Sequence, residues 1–302
     1  MAKDKIEIPQ PVNRPPEDEK TRAEHPTTVE TTPKGVMGRP TTPSSSSRFE
    51  PPATAIEVPS HGQLYKGMKA DSDLKKGILK VRPITLREEK ILTTNRLIQS
   101  GKAIDMVLEN CIKSEVDPQQ LLSADRTYIL FYLRGMSYGL NYDFNVRCYR
   151  CGRDFIQTIE IDKLPIHEWN DPVEEPWEMV LPITGFKVVT HYMRGYEENL
   201  LIEESNSMKS FDDIDEDLGI VMQSLVDEVY DPEGNRLSEQ EKVDFINSLI
   251  AGDTGFWREE LDQRTCGIRQ LEDIACPHCN AKINFNVPLD RNFFRPQRRK
   301  SR

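Results

Sequence analysis

Two Cys-x-x-Cys pairs, Cys148-Tyr-Arg-Cys151 and Cys276-Pro-His-Cys279, are the side chains of this 302-residue chain whose type and spacing most plainly imply chemistry. A turn of this kind can aim two sulfurs at one centre, and two turns supply the four thiolates of a tetrahedral metal site. Between Cys151 and Cys276 lie 124 residues. A shared metal would therefore staple distant parts of a fold; it would not organise a small autonomous finger. Structural zinc is the ion that best suits four sulfurs. Such a centre has no open position for water or substrate, so it cannot serve as a Lewis acid.

Other uses of the cysteines are weaker. Iron is the closest rival, because Cys-x-x-Cys-Gly combined with Cys-Pro-x-Cys also resembles the rubredoxin pattern. A redox dithiol would open a helix after a strand, and neither pair does so. His278 lies inside the second turn and reads as exposed, since four sulfurs complete the coordination. Cys111 and Cys266 read as core packing, and nothing in the thiol inventory points to an oxidising compartment.

The elements that must position these sulfurs are extended. Asn141-Tyr-Asp-Phe-Asn-Val146 precedes the first pair, and Phe155-Ile-Gln-Thr-Ile-Glu-Ile161 follows it. Lys282-Ile-Asn-Phe-Asn-Val-Pro288 follows the second pair with the same alternation. This is the pattern of a zinc ribbon built from two hairpin halves. Gly152 and Asn280 each follow the second cysteine of a pair, where the turn calls for positive φ.

The expected fold class is α+β: a helical bundle joined to the zinc-ribbon-like β module, with a mixed α/β insertion and a disordered or extended N-terminal arm. Residues 1–56 are rich in Pro, Ser, Thr and charge and form the arm, which cannot bury enough apolar surface to fold alone. Residues 57–140 supply a strand and three helices. The first helix opens with the capping box Thr85-Leu-Arg-Glu88 and runs past Leu97 and Ile98 to a stop at Gly101. A second covers roughly 102–114, and a third opens with Asp117 as cap and Pro118 in its first turn and continues through Leu133. The apolar stripes of these helices must be buried, and a residual patch on them is expected to form a subunit interface.

Residues 141–165 and 266–290 form the split ribbon, and 166–265 the insertion. The insertion reads as a hairpin around Pro182, followed by helices at 196–204, 218–229, 238–249 and 256–264. Residues 291–302 are a basic, aromatic tail suited to docking on an acidic partner.

Net charge is −10 with a pI near 5.2, a poor balance for non-specific nucleic-acid binding. No signal peptide and no membrane-spanning stretch are read. Phosphate loops, nucleophile elbows and HExxH zinc sites are missing, His167 and His191 stand alone, and the scattered carboxylates define no acid–base pair. The residues make no case for an enzyme.

Val58-Pro-Ser-His-Gly-Gln-Leu-Tyr65 and Val81-Arg-Pro-Ile-Thr-Leu-Arg-Glu-Glu-Lys-Ile-Leu92 resemble the baseplate protein family of T-even-type tailed bacteriophages. In that family a Pro-Ser-x-Gly-x-x-Tyr element precedes a Thr-x-x-Glu-Glu-x-x-Leu helix. The resemblance continues through Ser123-Ala-Asp-Arg-Thr-Tyr-Ile-Leu-Phe-Tyr-Leu-Arg134, Ser137-Tyr-Gly139 and the first cysteine pair, and covers roughly residues 55–200. It implies a non-enzymatic structural or assembly subunit of the contractile-tail baseplate, near the hub, made in the host cytoplasm and contacting other baseplate and tail proteins. It brings no catalytic residues with it, and the Pro-rich arm is not part of its pattern; that no nucleic acid and no membrane are expected as partners rests on the charge and on the absence of a spanning stretch. The reading from another class is a zinc-ribbon nucleic-acid-binding or transcription-accessory protein, which a basic, aromatic face would favour.

Overall fold

The structure, a computed structural model, describes residues 49–65, 72–207, 217–289 and 291–294. Helices and short antiparallel strands are interspersed in an α+β arrangement of small sheets.

Strand β1 (Thr54–Glu57) pairs with β2 (Ile78–Val81), Thr54 opposite Val81, and the pair buries Ile56, Leu79 and Val81. β1 thus begins inside the stretch that composition assigns to the arm; residues 1–48 lie outside the described residues. Helix α1 (Leu86–Leu92) starts on the expected capping box, with the Thr85 amide and hydroxyl donating to Glu88 at 2.9 and 2.6 Å. Glu88 is fully buried and also receives both terminal nitrogens of Arg82, each at 3.1 Å. Burial works against the charge, but the Arg82 and Thr85 donors prevail and hold the Glu88 pKa at about 2.

Three expected boundaries move. The first helix breaks after Leu92 and resumes as α2 (Asn95–Gln99). The hydroxyls of Thr93 and Thr94 both bond back to the Lys90 carbonyl, at 3.0 and 2.9 Å, so two β-branched residues compete with the helical ladder there. Gly101, at φ 71°, serves as the N-cap of α3 (Lys102–Cys111), whose Val107, Leu108 and Cys111 are buried. Asp117 does cap a turn, accepting from the Gln119 amide at 3.0 Å, but that turn is a 3-10 segment, Pro118–Gln120. Leu121 is extended, and α4 (Ser123–Tyr138) starts afresh beyond it.

α4 feeds directly into β3 (Asn141–Arg147), which pairs along its whole length with β4 (Asp154–Glu160). The two-residue strand β5 (Ile166–His167) follows. β6 (Trp177–Val180) and β7 (Lys187–Thr190) make the expected hairpin, and α5 (Gly195–Ser207) and α6 (Asp217–Leu225) come next. The expected helix at 218–229 stops at Leu225, because Val226 and Val229 belong to β8 (Val226–Tyr230), a third strand paired with β7. Both valines are buried there, and burial in a sheet wins over continuation of the helix.

α7 (Glu239–Asn247), with its own capping box at Ser238, leads to α8 (Ala251–Arg264). β9 (Gly267–Ile268) returns to pair with β5. β10 (Leu271–Ala275) and β11 (Lys282–Phe285) form the second hairpin, and α9 (Arg291–Phe294) ends the described chain. Phe293 packs edge-on against Phe131 of α4 and Tyr142 of β3.

Among the described residues of 57–140, Leu86, Ile98 and Leu140 are the large hydrophobics left exposed. The expected residual patch is therefore not there: the apolar stripes close within the subunit. No helix among the described residues is long and apolar enough to cross a membrane.

Candidate metal centre

Each cysteine pair lies in the turn of a hairpin, and the two turns have one geometry. Cys148 N–H donates to the Arg153 carbonyl at 3.0 Å and Gly152 N–H to the Cys148 carbonyl at 2.8 Å. The second turn repeats this, from Cys276 to Ala281 at 2.9 Å and from Asn280 to Cys276 at 2.9 Å. Gly152 and Asn280 take φ of 68° and 56°, as their place after each pair predicts. The first cysteine of each pair is buried and the second half-buried.

All four sulfurs lie within 4.8 Å of one another. The approaches between the turns are 3.7 Å for Cys148 with Cys279 and 3.9 Å for Cys151 with Cys276. A tetrahedron with metal–sulfur bonds of about 2.3 Å has a sulfur–sulfur edge of about 3.8 Å. A disulfide would require about 2.05 Å, and the cysteines are free. The donor set therefore fits one tetrahedral ion.

Electrostatics point the same way. Backbone N–H groups of Cys151 and Arg150, against burial, hold the Cys148 thiol down to about 6. At Cys279 an N–H from Ala281 is overcome by burial and by the other three sulfurs, which push its thiol up to about 11. Four sulfurs this close cannot all ionise without a cation among them. His278 is exposed and outside the cluster. Phe144 meets Phe285 edge-on at 5.3 Å and Tyr149 Oη donates to the Lys282 carbonyl at 3.3 Å, so the hairpins also touch beside the sulfurs.

A second polar cluster explains a sequence signature whose chemistry is not visible in the sequence. Asp125, in the first turn of α4, has no exposed surface. It accepts from Ser60 N–H at 3.1 Å, Ser60 Oγ at 2.5 Å and Tyr65 Oη at 2.7 Å, and Tyr65 Oη in turn accepts from Leu122 N–H at 3.0 Å. Gly62 sits at φ 78°, and a Cβ there would stand 2.3 Å from the Leu74 carbonyl oxygen. Ser60, Gly62 and Tyr65 are three of the four fixed positions of the Pro-Ser-x-Gly-x-x-Tyr element, which thus clasps the start of α4.

Residues 66–254 match the protein family described as T4 bacteriophage base plate protein. The chain belongs to this family. As a member it is a structural protein of the phage tail baseplate. The matched span contains Asp125, Cys148 and Cys151 and stops short of Cys276 and Cys279. No curated protein and no solved structure matches the chain.

One histidine of this baseplate protein is not isolated, contrary to its place in the sequence. His191 Nε2 lies 2.6 Å from Glu197 and Nδ1 lies 2.9 Å from Asp227, two residues six and thirty-six positions away. No local spacing could have flagged the pair. A neutral imidazole donates from one nitrogen only, so satisfying both carboxylates takes the imidazolium. The Glu197 hydrogen bond, opposed by burial, raises the His191 pKa above its ordinary value. Its contribution to stability is then complete below the unfolded value near 6.5 and is lost as pH rises through the folded pKa. Urea melts above neutral pH should therefore show a loss of stability that H191Q lacks; identical pH profiles for the two proteins would refute the charged clamp. His167, by contrast, faces the Thr265 carbonyl and Arg269, an ordinary strand-edge setting.

Proposed function

We propose that this baseplate protein is a non-enzymatic connector near the hub of the contractile tail, whose shape is fixed by one structural zinc. Cys148, Cys151, Cys276 and Cys279 would hold the ion. When bound, it would supply a cross-link between the two hairpins, making them one split ribbon of residues 141–165 and 266–290. The observation that carries this reading is the match of four sulfurs, from turns 124 residues apart, to the edges of a tetrahedron in a chain of baseplate family membership. Zinc is favoured over iron because the chain needs a rigid staple and no electron carrier.

On this reading, residues 57–140 and the insertion 166–265 present the surfaces that hold neighbouring tail proteins in register. The part of the arm (1–56) that precedes β1 and the part of the tail (291–302) that follows α9 dock on those neighbours, with the arm ordering as it spreads over them. The protein is made in the host cytoplasm and retained in the virion. Mass spectrometry and elemental analysis of purified tails test this together. The chain should be present, and the purified subunit should carry about one zinc per copy. Absence from finished tails would make it a transient assembly factor instead, and metal-free subunit would end the zinc reading.

A further inference from the structure

The first cysteine hairpin carries more than the metal site. β3 and β4 form a sheet of two strands, with no third strand beside them. The bonds from Cys148 N–H to the Arg153 carbonyl and from Ile161 N–H to the Leu140 carbonyl fix the alternation of the ladder. Arg153, Phe155, Gln157, Ile159 and Ile161 therefore turn their backbone groups to β3, and Asp154, Ile156 and Thr158 turn theirs outward. Of these outward groups, the Thr158 carbonyl accepts from Gln157 Nε2 at 3.0 Å. The others have no partner among the described residues, and all three residues are exposed. β4 thus offers an open edge.

Two further features single this edge out. Ile156, at its middle, is 56% exposed, on the opposite face from the buried Phe155 and Ile159. Where β4 leaves the cysteine turn stand Arg147, Arg150 and Arg153, all exposed. None of them makes an ion pair or side-chain hydrogen bond among the described residues, and Arg147 makes none with Asp154, its partner in the ladder. Tyr149, among these arginines, is 77% exposed, yet its ring is pinned by the bond from its hydroxyl to the Lys282 carbonyl. Three unpaired guanidinium groups within seven residues stand out in a chain of net charge −10.

Unpaired strand groups accept another strand, an exposed isoleucine accepts an apolar side chain, and the arginines accept carboxylates. We infer that the outer edge of β4 receives an extended, acidic segment of a neighbouring tail protein as a third strand, its carboxylates lying over the arginines of the cysteine turn. This rests on the connector reading and adds the ribbon's edge to the connector's surfaces. The backbone row selects a peptide over nucleic acid, which has no strand to add, and a long polyanion would also meet the chain's overall negative charge. A second copy of β4 is a poorer occupant. Antiparallel pairing would bring its Glu160 towards the arginines, and that carboxylate is already held by Lys163 at 2.8 Å.

A fluorescein-labelled peptide in which an alternating Val-Thr run ends in three glutamates, titrated into the full-length protein, tests this by fluorescence anisotropy. Binding should weaken with added salt, and the amides of Ile156 and Thr158 should gain protection from hydrogen exchange. N-methylating the amides of the Val-Thr run removes the ladder donors without altering the protein and should weaken binding more than about tenfold. R150Q/R153Q should weaken it about fivefold, with zinc content and a urea melt showing the turn intact. The control R87Q/R96Q, on α1 and α2, removes the same charge and should leave affinity unchanged. No binding, undiminished binding of the N-methylated peptide, or equal losses in R150Q/R153Q and the control overturns the edge as the site. Equal affinity for an oligothymidylate of the same length overturns the peptide in favour of nucleic acid. Self-association of the full-length protein that I156P abolishes gives the edge to a second copy and overturns the neighbour. The connector reading fails separately, by absence of the chain from finished tails.

Discussion

Cys276→Ser should cost the subunit on the order of 5 kcal/mol or more and abolish stoichiometric zinc, because closing a four-sulfur centre is coupled to folding. Cys276 is fully buried at the turn of the second hairpin, and its sulfur lies 3.9 Å from that of Cys151 on the first. The two hairpins form separate two-stranded sheets with no ladder between them. Losing one thiolate therefore weakens what joins them, leaving aromatic and side-chain contacts to carry the connection. Urea melts with and without a strong chelator separate this from an ordinary core defect. The chelator should bring the wild type down towards the variant and leave the variant unmoved. Cys266→Ser is the internal control. Cys266 is buried, as Cys276 is, and burial pushes its own thiol well up, but it lies outside the cluster. Its loss should be about 1–2 kcal/mol and insensitive to chelator. A chelator-insensitive wild type would remove the staple from the account of this fold.

The contrast between the cysteines and the rest of the molecule shows what a sequence encodes locally. A Cys-x-x-Cys turn carries its geometry within six residues, so the positive φ at Gly152 and Asn280 and the flanking alternation were legible. The meeting of two such turns follows from chemistry, since four thiols gathered within 4.8 Å of one another need a common partner. Helix boundaries were less legible. The Thr93-Thr94 break and the restart at Ser123 depend on hydroxyls and extended residues that an apolar period does not register. Val226 and Val229 fit a helical stripe and a strand equally well, and pairing with β7 decides between them. His191 shows the limit most plainly, because its partners come from α5 and β8 and their distance along the chain hides them.

Asp125 shows how a motif can be recognised in sequence before its physics is known, and it carries the second large expected effect. Asp125→Ala should destabilise the protein by on the order of 4 kcal/mol at neutral pH. Ser60 N–H, Ser60 Oγ and Tyr65 Oη all donate to this carboxyl in a region without exposed surface. The two hydroxyls can rotate away, but the amide cannot, and each buried donor left unmade costs about 1–3 kcal/mol. Tyr65 Oη also accepts from the Leu122 amide at the start of α4, so the damage reaches the helix terminus as well. Burial raises the Asp125 pKa and the three donors oppose it, with burial the stronger. An asparagine keeps one carbonyl oxygen that can accept from the Ser60 amide, so Asp125→Asn should lose less than the alanine variant. Chemical denaturation of the three proteins at one pH decides the matter. An alanine variant within about 1 kcal/mol of the wild type would mean that the clasp is decorative. Equal losses for asparagine and alanine would instead show that one retained acceptor cannot hold the clasp and that both carboxylate oxygens are needed.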